Sequence, residues 1–245
     1  MKVVCLGATK GMGRALARLL AQRGDRLFLL GRDRDDLQRS ATDLELFGAA
    51  GTVGTAHGDL LDPSSFAPAL DAAAAALDGF DTVVVTAGIF ATQEVLEADT
   101  ELTARLLAVD FTNTILFCEE ARKRLLAAGG GTLCVFSSVA GERGRKPVIL
   151  YGAAKAGLSA YLEGLDHKFR ARGLRTIAVK PGFVKTGMTA GFTPPPFAAE
   201  ADDAARAALK AIERGRPEVY APGIWRWIML VIRNLPRAVM RRIAF

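Results

Sequence analysis

Cysteine is scarce. Only Cys5, Cys118 and Cys134 occur in 245 residues, widely spaced, odd in number and each inside an apolar run. That pattern fits reduced, buried thiols and offers no disulfide framework or cysteine metal site. No apolar stretch reaches the roughly 20 residues that cross a bilayer. A strand-like run begins at Lys2, so no signal peptide is expected ahead of it and a cytoplasmic protein is. Internal repeats, long linkers and signs of a second domain are lacking too. At this length folding buries roughly three-quarters of the extended chain's surface, so no metal or disulfide staple is required.

Acidic residues are missing from one place. The chain carries 32 Lys and Arg against 26 Asp and Glu. Arg226, Arg233, Arg237, Arg241 and Arg242 lie within 223–245, where no acid occurs, so the first 222 residues balance at 27 against 26. Basic charge confined to a tail, without a nucleic-acid-binding motif, argues against a nucleic-acid partner.

Apolar, β-branched runs alternate with longer stretches rich in Ala, Leu, Arg and Glu. Strands are predicted over 3–6, 26–30, 52–56, 82–86, 133–136, 176–179 and 218–220, and helices over 12–23, 33–47, 63–77, 100–128, 148–171 and 200–214. The alanine run 72–76 reads as helix, since alanine is the best helix former. Short continuous apolar strands separated by helices predict a single-domain α/β protein, a Rossmann-like doubly wound parallel sheet of about seven strands. Its catalytic domain would span 1–222 and a basic amphipathic tail 223–245. Such a sheet places function at the carboxyl ends of its strands, near the switch in strand order.

The motifs fall there. Gly7-Ala8-Thr9-Lys10-Gly11-Met12-Gly13 follows the first strand and leads into a helix. Glycines let backbone amides approach a pyrophosphate, and a helix N-terminus favours its charge; taken alone, the segment is also an ordinary glycine-rich turn. The second strand ends at Gly31-Arg32. An acid at that edge would suit a ribose 2′-hydroxyl, whereas Arg32, with Lys10 nearby, suits a 2′-phosphate, so NADP(H) is expected over NAD(H). Asp59-Leu60 after the third strand would bracket the adenine, or Asp59 would merely cap a helix.

At the reacting end, Tyr151 and Lys155 stand four apart in a predicted helix and share a face. A free tyrosine, with a pKa of about 10, is a poor acid or base at neutral pH. A neighbouring ammonium stabilises the phenolate and lets the group exchange a proton with a substrate oxygen. Ser138, at the end of the fifth strand, would hydrogen-bond and polarise that oxygen.

Taken with Thr86-Ala87-Gly88 and Pro181-Gly182-Phe183-Val184-Lys185-Thr186, these motifs resemble the short-chain dehydrogenase/reductase family, in its order and spacing from Lys2 to about Tyr220. The resemblance implies that Ala87 and Gly88 line the adenosine half and that Lys155 also holds the nicotinamide ribose. The turn 181–186 would hold the carboxamide, through the Val184 backbone and Thr186. Homodimers or homotetramers are implied as well. Two departures stand out: Thr86 replaces an asparagine, and Asp110 stands where the family commonly has a water-holding asparagine. Asp110 therefore joins Ser138, Tyr151 and Lys155 in the candidate catalytic set, with Asn113, one turn on, as a compensating amide.

Between 187 and 199, three consecutive prolines enforce an extended segment. It would be a substrate lid with Met188, Phe192 and Phe197 as an apolar wall, or else a surface connector. Glu142 and Arg143 sit where polar substrate groups would be read. The tail places four arginines in a narrow arc beside a broad apolar side with Trp225 and Trp227, split by Pro236. That describes a helix lying on the inner face of a membrane, an oligomer contact, or a flap over the substrate cleft. The tail, with Ala140-Gly141-Glu142-Arg143, Tyr151-Gly152 and Tyr220-Ala221-Pro222, resembles a narrower branch that reduces the keto-sugar of a polyprenyl-phosphate. The expected activity is NADPH-dependent reduction of a ketone, on a lipid-like or lipid-linked substrate. The alternatives are a general carbonyl reductase, a dehydrogenase of hydrophobic alcohols, and a non-catalytic NADP-binding sensor or scaffold.

Overall fold

The structure is a computed structural model that describes residues 1–243; the last two residues of the expected tail lie outside them. In chain order the elements are β1 (Lys2–Leu6), α1 (Gly11–Gln22), β2 (Arg26–Gly31), α2 (Arg34–Leu46), β3 (Gly54–His57), α3 (Phe66–Leu77) and β4 (Thr82–Val85). Then come α4 (Gln93–Ala98), α5 (Thr100–Leu107), α6 (Asn113–Ala127), β5 (Gly131–Phe136), α7 (Ile149–Phe169) and β6 (Leu174–Pro181). The chain closes with β7 (Val184–Lys185), β8 (Ala199–Glu200), α8 (Ala201–Arg214), β9 (Glu218–Ala221), α9 (Trp225–Asn234) and α10 (Arg237–Arg242).

Seven strands form one sheet in the order β3-β2-β1-β4-β5-β6-β9, parallel throughout. Alternate residues of each strand enter different cores. Val4, Leu6, Val83 and Val85 pack with α3, α6 and α7, while Val3, Cys5, Val84 and Cys134 pack with α1, α2 and α8. Both faces are thus covered, which is why the strands read as continuous apolar runs. The three cysteines are buried and unpaired, and burial pushes the Cys5 thiol up to about 12.

Three differences from the sequence reading bear on the site. The predicted helix 100–128 is broken by a π-helical turn at Ala108–Thr112, where Thr114 Oγ donates to the Val109 carbonyl at 2.6 Å. Such a turn inserts one residue into a helix and re-aims its side chains. Helix α4 was not predicted; only six residues long, it carries too little periodicity to read. Third, α9 is docked on the body. Trp225, Met229 and Ile232 pack against Val139 and Tyr220, so only part of the tail's apolar side faces outward. Pro236 separates α9 from α10. Among the described residues, no helix is long and apolar enough to cross a membrane.

Candidate active site

The switch in strand order lies between β1 and β4, and a cleft of about 350 Å³ opens there. Gly7, Thr9, Lys10, Gly11, Met12, Gly13, Arg32, Asp59, Leu60, Ala87, Gly88, Thr186 and Met188 line it. The first turn is closed around backbone. Gly7 adopts φ +94°, and a Cβ there would lie 2.5 Å from the Ala87 nitrogen. A Cβ on Gly13 would lie 2.3 Å from the Gly7 carbonyl oxygen. Thr86, in the unusual position, braces this turn: its hydroxyl donates to the Gly7 carbonyl at 2.9 Å. The glycine cradle, the helix N-terminus behind it and the flanking cations suit a dinucleotide pyrophosphate.

At the ribose edge Arg32 is exposed, while the Asp33 carboxylate accepts from the Asp36 N–H and caps α2. Lys10 Nζ lies 3.0 Å from Asp36. Asp59 does not cap a helix; its carboxylate closes its own turn on the Leu61 N–H, and the capping residue is Asp62. Asn113 donates to the Leu60 carbonyl at 2.6 Å, so it braces the turn after β3 and offers Lys155 no substitute amide. Ile89 and Val109, which also line the cleft, escaped the sequence reading. Their proximity to Gly88 and Asp110 was the available signal.

The reacting groups converge beside this cleft. Tyr151 occupies the first turn of α7 and Lys155 the next, with the Lys155 ammonium 5.6 Å from the tyrosine ring centre. Helix α7 is pinned against the end of β5: Ser137 Oγ donates to the Lys155 carbonyl at 3.0 Å and shares a 2.7 Å hydrogen bond with Ser159. A Cβ on Gly141 would lie 2.6 Å from the Lys155–Ala156 peptide, so the approach depends on glycine. Ser138 Oγ accepts from the Ala140 N–H at 3.1 Å and reaches the Pro181 carbonyl only at 3.5 Å. That long contact leaves its proton free to be redirected to a substrate oxygen.

Asp110, on the π-helical turn, is fully buried. One carboxylate oxygen accepts from the Ile89 N–H at 2.8 Å; the other lies 3.5 Å from Lys155 Nζ with no closer partner. Burial pushes the Tyr151 phenol above its ordinary value; Lys155 and a Ser138 hydrogen bond pull it back, and Asp110 pushes it further. Burial works against the Lys155 ammonium too, but Asp110 and then Tyr151 outweigh it and the net direction is up.

Phe90, also missed from sequence, meets Tyr151 edge-on at 5.1 Å between ring centres and meets Phe192 at 5.9 Å. The segment 187–198 therefore reaches Tyr151 through two rings. Phe197 points away, exposed, at φ +66°. Gly182 backs onto the Trp225 indole, and Val184 is buried where β7 pairs with β8.

Glu142 and Arg143 are corrected by their partners. Glu142 is ion-paired with Lys180 at 2.5 Å and accepts from the Tyr220 hydroxyl and Arg233, each at 3.1 Å. Arg143 donates to the Arg233 and Leu235 carbonyls. Both tether the tail instead of presenting free polar atoms to a substrate.

A family model described as short chain dehydrogenase matches residues 1–195. The chain is 33% identical over 240 residues to an uncharacterized oxidoreductase of Mycobacterium tuberculosis, covering 98% of this chain and 96% of the relative. It is also 33% identical over 224 residues to the cis-4-hydroxycyclohexanecarboxylate dehydrogenase of Sinomonas cyclohexanicum, covering 90% and 86%. A short-chain type dehydrogenase/reductase from Mycobacterium ulcerans superposes with a TM-score of 0.82 over 98% of this chain and 97% of that one. At 21% identity, that likeness speaks for the fold alone. Family match, full-length relatives and the Ser138–Tyr151–Lys155 geometry converge: the chain belongs to the short-chain dehydrogenase/reductase family, as an oxidoreductase that binds a nicotinamide dinucleotide.

Proposed function

We propose that this enzyme is an NADPH-dependent reductase of ketones carried on a lipid-like or lipid-linked molecule, working at the inner face of a membrane as a homodimer or homotetramer. The observation that carries the cofactor choice is Arg32, exposed at the end of β2 with Lys10 close by, while the adjacent acid, Asp33, is occupied in capping α2. A guanidinium and an ammonium there match a 2′-phosphate and would leave a bare 2′-hydroxyl without an acceptor. When bound, the nicotinamide supplies the hydride. Pro181, Gly182, Val184 and Thr186 would hold its carboxamide, and Lys155 its ribose. Tyr151 gives its proton to the carbonyl oxygen, and Ser138 donates a hydrogen bond to the same oxygen. Lys155 stabilises the phenolate left behind.

The membrane and substrate choices are supported by the tail and lid. Trp227 and Val231, each 62% exposed, lie one turn apart on the outer side of α9. Ile224 and Leu230 flank them among arginines with no acid. Aromatic, aliphatic and basic groups in one exposed strip suit an anionic lipid interface. Met188 and Phe192 add exposed apolar surface at the lid. The substrate of the Sinomonas relative is a secondary alcohol on a carbon ring; reduction of a ketone on a sugar ring gives a ring-borne secondary alcohol too.

The test is fluorescence-monitored binding of NADPH and NADH to the native chain and to Arg32→Gln, with and without anionic vesicles. The native chain is expected to prefer NADPH and to sediment with vesicles in a salt-sensitive way. Losing a charge-assisted phosphate contact should weaken NADPH by about 10- to 100-fold and leave NADH unchanged. Preference for NADH without vesicle binding would overturn both choices and leave a dehydrogenase of small hydrophobic alcohols.

A further inference from the structure

We infer that Asp110 is a positioning residue that holds Tyr151 in its protonated form, by pairing with Lys155 and cancelling part of the ammonium's pull on the phenol. The inference rests on the reading of Tyr151 as the proton-transfer group and adds to it the direction for which the site is poised.

The geometry is specific. The π-helical turn sends Asp110 inward at a point where an uninterrupted helix would turn it elsewhere. Gly88 leaves the room, since a Cβ there would lie 3.0 Å from Asp110 Oδ1. The Ile89 N–H fixes that oxygen, which leaves Oδ2 facing Lys155 Nζ with no other partner. The ammonium's other neighbour is the Phe136 carbonyl at 3.4 Å. Lys155 therefore divides its charge between a carboxylate and a phenol.

Among the described residues, the remaining surroundings of Tyr151 contribute no comparable charge. From β5 comes the Ser138 hydroxyl; from the loop after β4, the Phe90 ring and Ile89; from α5, Leu102 and Leu106. From α4 comes Gln93, an uncharged amide that accepts from the Leu150 N–H and donates to Glu97. The lid adds Phe192 behind Phe90. Burial raises the phenol's proton affinity most, and of the two neighbouring ions Lys155 lowers it while Asp110 raises it further. A carboxyl group, even one raised by burial, is ionised at the alkaline pH where a phenol titrates, so the opposition is present where it counts. A phenol retained through the neutral range is the form that protonates a carbonyl oxygen. Alcohol oxidation needs the phenolate and is displaced to higher pH.

The experiment is a near-ultraviolet titration of phenolate absorbance in the protein without cofactor or substrate. The chain has three tyrosines, and burial raises Tyr161 and Tyr220, each also hydrogen-bonded to a glutamate. Subtracting the curve of Tyr151→Phe isolates Tyr151. In the native chain its phenolate is expected to appear above the roughly 10 of free tyrosine. In Asp110→Asn it is expected about one to two pH units lower, the effect of removing a unit charge several ångströms away at an effective dielectric near 20. Asp110→Ser, which also lacks the charge, should give the same sign, with circular dichroism confirming the fold. A native phenolate appearing near neutral pH would overturn the inference, as would an unchanged or raised value in the variants. Because no turnover is read, a downward shift in a chain that reduces no ketone would sink the proposed function and leave this inference standing. An unchanged titration in an active reductase would do the reverse.

Discussion

A single added methyl group at position 182 should reveal how firmly the tail belongs to the catalytic body. Gly182 does not adopt a left-handed conformation. Alanine would therefore be free of backbone strain and, by itself, stabilising by about 0.4–1 kcal/mol. Its Cβ, however, would lie 2.0, 2.3 and 2.6 Å from three atoms of the Trp225 indole. The ring is 7% exposed and held by Val139, Tyr220, Met229 and Ile232, so it must move by more than about 1 Å into occupied space. Overpacking of that kind costs about 1–3 kcal/mol, and Gly182→Ala should lower Tm by roughly 2–12 °C in a chain of this size. Trp225→Ala alone should cost about 3–5 kcal/mol through the cavity it leaves. In the double variant the new methyl enters that cavity, so the two losses should not add; a coupling of about 1–3 kcal/mol is expected. Guanidinium denaturation of all four proteins, with midpoint and slope compared, measures it. Additivity within about 0.5 kcal/mol would refute the packing of α9 on the Pro181–Gly182 turn.

Two further outcomes follow from contacts described above. Tyr151→Phe should abolish ketone reduction while leaving NADPH binding within about twofold, because it removes one hydroxyl and no phosphate contact; steady-state rates and cofactor titration check this, and an unaffected rate would sink the mechanism. Glu119 is held below the usual carboxylate range by Arg122, with the Tyr161 hydroxyl donating to it at 2.7 Å. A lowered carboxyl contributes stability above its unfolded value, about 4.3, and loses it as pH falls through the folded value. Glu119→Gln should therefore be less stable than native at neutral pH by under about 1 kcal/mol, since the pair is partly exposed, with the gap closing below about pH 4 in denaturation midpoints.

The sheet was legible because its central strands are covered on both faces, and a strand such as Val83–Val85 then needs no pattern beyond apolarity. The cofactor cleft was legible for a related reason: Gly7, Gly13 and Arg32 are placed by local turns at strand ends, so spacing along the chain carries their positions. Asp110 was picked out by position but not by geometry. A one-residue π insertion leaves the helical periodicity of 100–127 nearly intact, and no local signal marks it. Glu142 misled for a different reason. Its partners Lys180, Tyr220 and Arg233 lie far along the chain, and an exposed-looking Gly141-Glu142-Arg143 gives no hint of them. The tail showed an apolar stripe, but its periodicity does not say which half of the stripe meets protein. Trp225 faces inward, where Gly182 leaves a seat for its indole, and Trp227, two residues on, falls on the opposite, exposed side of the helix.

The row of rings from Phe192 through Phe90 to Tyr151 ties the segment 187–198 to the flank of the candidate proton donor. Edge-on contacts at these spacings leave no layer of water between the rings. Lifting the segment around Phe192 bares Phe90, and with it the flank of the phenol. Were that segment to act as the substrate lid, admission of a substrate and wetting of Tyr151 would be a single event, with no second gate to separate them. Tyr151 would then regain its proton from solvent with the segment raised and be sheltered from bulk water with it lowered.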